Sequence, residues 1–131
     1  MRTFSKYEQM AIDTGMIKKA EAESGSLVFD MLLKACAKQL EAREKFRDKV
    51  AALATGEILF EAARTVFVKR EDGRLWMTGD NVGSDEVIPD VASYIVALRS
   101  IISAAAEWDA DGEDEDLARD VQRVRDEIAD Y

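Results

Sequence analysis

Apolar positions recur at helical spacing from the start of the chain. Phe4, Tyr7, Ala11 and Thr14 share one stripe, with Met10 and Ile17 beside it, which predicts a helix from about Ser5 to Glu23. Ser24-Gly25-Ser26 interrupts the pattern, Gly25 as a helix stop and Ser26 as the next N-cap. A second helix follows, with Phe29, Leu33, Cys36, Leu40, Val50 and Leu53 on its apolar stripe. Arg43 breaks that stripe and Phe46 lies one position off it. Thr55-Gly56 predicts its end, leaving Ile58, Leu59 and Phe60 to open a short third helix.

The period then changes. Val66 to Glu71 and Arg74 to Thr78 flank Asp72-Gly73, a pair suited to a two-residue hairpin turn because both positions tolerate positive φ. That register sets Glu71 opposite Arg74 and Val68 opposite Met77. It puts Val66, Val68, Leu75 and Met77 on the core face and turns Phe67 and Trp76 outward beside Lys69 and Arg70. Residues 79–86 read as a polar loop. Ser84 or Asp85 then caps a helix with Pro89 in its first turn. Ile88, Val91, Ile95, Leu98, Ile102 and Ala105 form its stripe, widened by Tyr94, Ile101 and Trp108. With Arg99 its lone charge between Val91 and Ala106, it is the expected central helix, and Arg99 suits a core-edge ion pair. An acidic segment, 109–116, separates it from a terminal helix whose narrow seam is Leu117, Val121, Val124, Ile128 and Tyr131.

These elements predict a mainly α (α+β) fold. Four to five helices form a small bundle with one β-hairpin at about 65–79, all in a single domain over 1–131. A chain of 131 residues buries roughly two-thirds of the surface its unfolded form exposes, so it folds without metal or disulfide staples. There is no histidine and one cysteine, Cys36. Zinc needs about three or four Cys/His-type ligands, so a zinc site is excluded. Ser-His-Asp and Cys-His centres go with it. Cys36, on an apolar stripe, reads as an inert structural thiol. The N-terminus has no signal-like apolar run, and Val91 to Ala106 is short for a bilayer and carries Arg99. The expectation is a soluble, cytoplasmic protein without a membrane role.

Charge changes the picture most. Residues 1–70 hold 13 Lys/Arg against 10 Asp/Glu, a net of +3, whereas residues 71–131 hold 5 against 17, a net of −12. Direct nucleic-acid binding needs clustered cations and is not expected, although Lys34, Lys38, Lys45 and Lys49 make a modest basic ridge. A helix-turn-helix around Met10 to Met16 fails at Glu21 and Ser24, where apolar docking positions are required. An EF-hand alignment of Gly112 places Glu107, Asp109 and Asp111 suitably. It leaves Ala118 where the bidentate glutamate belongs, so no metal or cofactor is expected.

What the acidic half offers is a surface. The expected function is a non-enzymatic acidic interaction protein: an inhibitor, immunity-type factor or adaptor. Its partner is a basic, even nucleic-acid-handling, protein, bound partly by negative-charge mimicry. The expected partner-binding residues are Asp109, Asp111, Glu113, Asp114, Glu115 and Asp116, with Phe67 and Trp76 as aromatic anchors. The surface requires that these carboxylates are not folded back on Lys34, Lys38 or Arg43. The alternative is a homo-oligomer, such as a homodimer, assembled through the C-terminal seam or the hairpin edge. A second alternative is a small carboxylate- or divalent-metal-dependent enzyme.

Overall fold

The computed structural model describes residues 2–80 and 82–131. They form an α+β fold of five helices and a four-stranded antiparallel sheet among the described residues. The chain divides into two compact units, Met1–Lys45 and Phe46–Tyr131.

In the first unit Ser5 opens α1 (Lys6–Asp13) with a capping box. Its hydroxyl accepts the Glu8 N–H at 3.2 Å, while the Glu8 carboxylate accepts the Ser5 N–H at 2.9 Å. The single helix expected from Ser5 to Glu23 is instead two. Gly15 takes φ +78° and the Met16 N–H reaches back to the Ala11 carbonyl at 3.0 Å, the closing bond of a glycine-stopped helix. Thr14 adds a hydroxyl bond to the Met10 carbonyl at 2.8 Å. The five-residue α2 (Lys19–Glu23) follows, and Gly25 at φ +75° precedes α3 (Leu27–Ala52). Ala11, Ile17, Ala22, Leu33, Cys36 and Leu40 form this unit's core, with Phe4, Tyr7, Met10 and Phe29 packed on it. The Arg2 guanidinium ties it together, donating to the Ala22 carbonyl and to Asp30, both at 2.6 Å.

The second unit replaces the expected lone hairpin with a meander of β1 (Ile58–Ala62), β2 (Thr65–Lys69), β3 (Leu75–Gly79) and β4 (Glu86–Ile88), hydrogen-bonded in that order. Ile58, Leu59 and Phe60 are strand, not helix. A bulge between Ile58 and Phe60 breaks the alternation that would have marked them. Glu86–Ile88 is also strand, so helix α4 (Val91–Trp108) starts after Pro89. Its cap is Asp90, which accepts the Ser93 N–H at 2.8 Å, rather than Ser84 or Asp85. Helix α5 (Glu115–Ala129) closes the chain.

The β2–β3 turn carries the correction with most consequence. Asp72 and Gly73 do not form a two-residue turn. The Gly73 N–H bonds the Arg70 carbonyl at 2.9 Å and the Arg70 N–H bonds the Arg74 carbonyl at 3.0 Å. Glu71, Asp72 and Gly73 therefore make a three-residue loop, Gly73 lying at φ +79°. Pairing shifts by one residue, to Val68↔Trp76 and Phe67↔Met77. A one-residue slip exchanges the faces of a strand. Phe67 goes inward and is fully buried with Leu75, while Val66 and Val68 share the outer face with Trp76.

Phe67 meets Tyr94 of α4 edge-on at 4.9 Å, and Tyr94 also touches the rings of Phe46 at 5.2 Å and Tyr131 at 5.9 Å. The Tyr94 hydroxyl donates to Glu127 of α5. Burial, then that bond and charge, push its pKa far above the ordinary phenol value. Lys69 caps the end of α3, donating to the carbonyls of Val50 at 3.1 Å and Leu53 at 2.9 Å. Val124 of the terminal seam is fully buried, so that seam is docked on its own chain. Strands β2 and β3 each have a partner on both sides, so the hairpin has no open edge.

Candidate functional site

The acidic segment is a turn between α4 and α5, and its carboxylates divide by task. Asp109 is half-buried and used internally. Its two oxygens accept the N–H groups of Glu113 and Asp114, each at 3.1 Å. Asp114 is exposed but serves as the N-cap of α5, accepting the Leu117 N–H at 3.0 Å. Glu115 and Asp116 occupy the first helical turn, where the helix dipole favours negative charge. Asp111 and Glu113 project from the turn around Gly112, which adopts φ +68°. Asp111, Glu113, Asp114, Glu115 and Asp116 are all solvent-exposed. Their ion pairing among the described residues is confined to Asp116 with Arg119 at 3.1 Å, itself an exposed i,i+3 contact. No group of three or more His, Cys, Asp or Glu side chains converges as a metal-ligand set among the described residues.

The aromatic anchors fare differently. Phe67, wholly inside, offers no surface. Trp76 lies half-buried on the outer sheet face, already held on two sides. The Arg70 guanidinium stacks 4.8 Å from its ring centre, and its indole N–H donates to Asp72 at 3.0 Å. The N–H of Arg74, and then the Trp76 indole, hold the Asp72 carboxyl below its ordinary pKa. Arg70 and the Thr78 hydroxyl do the same for Asp85, at 2.6 Å and 2.8 Å.

Trp108 is the aromatic that the sequence pattern assigned to the helix stripe and not to the partner-binding set. It completes the apolar stripe of α4, yet in the structure it is 50% exposed. It stands with Arg64, Asp114, Asp116 and Asp120 around a shallow crevice of about 400 Å³. The crevice is braced by an unusual turn. Ala63 and Arg64 both adopt positive φ, +48° and +62°, and the Asp120 carboxylate accepts the Ala63 N–H at 2.8 Å.

Trp108 also closes one end of a larger groove, about 680 Å³, between α4 and the β3–β4 side of the sheet. Thr65, Met77 and Ile88 line it from the sheet, and Val96, Ser100 and Ala104 from the helix. Helix α4 has the length and mean hydropathy, 1.2, of a weak bilayer candidate. Its buried residues Tyr94, Leu98 and Ile101 make it a core helix, but one covered over only a third of its residues. Arg99 lies exposed. Cys36 is buried and forms no disulfide, and α2, five residues long with Glu21 and Glu23, is too short and too acidic to read a DNA groove. Comparison with protein-family models, with curated proteins and with solved structures finds no match for this chain.

Proposed function

We propose that this is a non-enzymatic interaction protein whose acidic turn engages a basic surface on another protein. Asp111, Glu113, Glu115 and Asp116 are the contacting carboxylates, and Trp108 replaces Phe67 as the aromatic anchor beside them. Asp109 and Asp114 are positioning residues that hold the turn open. The observation that carries this reading is the exposure of five neighbouring carboxylates whose ion pairing among the described residues is Asp116 with Arg119, with the exposed Arg64 beside them at the crevice. Aligned in a short turn, such charges raise the local concentration of a cationic partner and speed its association. A partner that handles nucleic acid would meet clustered negative charge of the kind its surface is built to bind, which is the inhibitor or immunity-type form of the proposal.

The test is affinity capture from a native lysate at low salt, followed by a salt gradient. Basic proteins should be retained at low salt and released within the range where the Debye length shrinks from about 30 Å to about 8 Å. Trp108→Ala should shorten retention without changing the salt midpoint appreciably. Retention indifferent to salt would remove the electrostatic part of the proposal.

A further inference from the structure

Two surfaces of this chain keep large apolar side chains in water. Residues 27–33 of α3 are apolar all round except for Asp30, a pattern suited to a helix covered on every side. Phe29, Leu33 and Cys36 meet the first unit's core. On the other side Leu27 is 74%, Val28 72%, Met31 64% and Leu32 44% exposed. At spacing i, i+1, i+4 and i+5 they form one ridge, flanked by Lys34 and Lys38. The second unit holds the converse shape. Its groove along α4 has Val96, 62% exposed, and Trp108 at its lips. Glu86 lines the groove, and Glu107 is exposed beside Trp108. Residues 1–45 carry 8 Lys/Arg against 7 Asp/Glu, whereas residues 46–131 carry 10 against 20.

We propose that the α4 groove of one copy receives the Leu27, Val28, Met31 and Leu32 ridge of a second copy, and that the exchange is reciprocal, giving a closed dimer. A helix laid into an apolar groove through anchors on successive turns is a recurrent recognition mode. Lys34 and Lys38 supply the charge that Glu86 and Glu107 lack. The chain itself bears both complementary halves, which selects a second copy over an unrelated basic helix. A two-fold pair uses each contact twice, bringing two modest contacts toward the roughly 1,600 Å² of a standard interface. This contact uses neither the acidic turn's exposed carboxylates nor Trp76; Trp108 is common to both sites, so the two are separated by Met31→Glu and Val96→Glu, which leave the acidic turn and Trp108 intact.

Sedimentation velocity and light scattering on the full chain, over a concentration series at low salt, give the readout. Wild type should pass from the 14.6 kDa monomer to a dimer and no further. Met31→Glu and Val96→Glu alter exposed positions, so circular dichroism, and melting at concentrations where the wild type is monomeric, should be unchanged. Each should weaken dimerisation by roughly tenfold or more. The decisive arm mixes the two variants in equal amounts. A Met31→Glu copy keeps its groove and a Val96→Glu copy keeps its ridge, so one of the two contacts returns and a heterodimer forms that neither variant makes alone. A wild-type monomer at every concentration, growth past the dimer, either variant dimerising normally, or a mixture that stays monomeric would each overturn the proposal.

Discussion

The two units of this chain are built on different cores, and the contrast explains where each is robust. The first unit packs Ala11, Ile17, Ala22, Leu33, Cys36 and Leu40, three short or medium aliphatic types and a thiol, between helices joined by glycine stops. The second interlocks the rings of Phe46 on α3, Phe67 on β2, Tyr94 on α4 and Tyr131 just past α5. Aromatic pairs add about 0.5–1.5 kcal/mol each beyond their buried area. Burial in a sheet also lets one ring be gripped from several elements at once. The acidic turn belongs to the unit with the aromatic core, so its geometry should survive disturbance of the first unit's core.

The sharpest way to break this contrast is Phe67→Ala. Removing a fully buried ring from the centre of the cluster should cost about 3–5 kcal/mol and lower the melting temperature of residues 46–131. If Phe67 pointed outward, as the two-residue turn implied, chemical denaturation would show almost no change. Leu33→Ala, also fully buried, should cost about 2–4 kcal/mol. Hydrogen exchange should show the loss in residues 2–45 while the amides of β2 and β3 keep their protection. Gly79→Ala comes next. At φ +145° an added Cβ would lie 2.0 Å from the Arg64 carbonyl oxygen, so backbone must move. A loss on the order of 2 kcal/mol is expected by denaturant titration.

A gain is expected from replacing Ala63-Arg64 with Asn-Gly. Both positions hold left-handed φ, which costs an ordinary residue about 1–2 kcal/mol, and Asn-Gly fits that turn without the strain. The midpoint of denaturation should rise. The smallest effect concerns pH. Asp85 has a lowered pKa through Arg70 and Thr78, so its bonds favour the folded state above the ordinary carboxylate pKa and are lost as pH falls through the folded value. Asp85→Asn should therefore lower neutral stability slightly, leave stability at acid pH unchanged, and so flatten the acid limb of the profile.

What could be read in advance follows from these same residues. The helices α3, α4 and α5 were legible because their apolar stripes keep one period over many turns. The α1–α2 break was hidden because Gly15 sits inside an otherwise continuous pattern. Strand β1 was illegible for two reasons: its bulge breaks the alternation, and its turn uses Ala63-Arg64, which carry no hairpin signal. The β2–β3 hairpin was visible but its register was not, since Asp72-Gly73 serves a two-residue and a three-residue loop equally well. That single ambiguity inverted the reading of Phe67. Of the acidic segment, the sequence announced the charge; which carboxylates are committed to the turn, Asp109 and Asp114, emerges only with backbone N–H positions.

The functional proposal separates working carboxylates from structural ones, and one variant tests that division. Asp111→Asn, Glu113→Gln, Glu115→Gln and Asp116→Asn together leave Asp109 and the Asp114 cap in place. They remove four charges from a net of −9, relieving repulsion within the turn. Loss of the helix-dipole contacts of Glu115 and Asp116 offsets that relief, so the melting temperature should change little, while low-salt capture of basic proteins disappears. Capture at the wild-type level by this correctly folded variant would contradict the account.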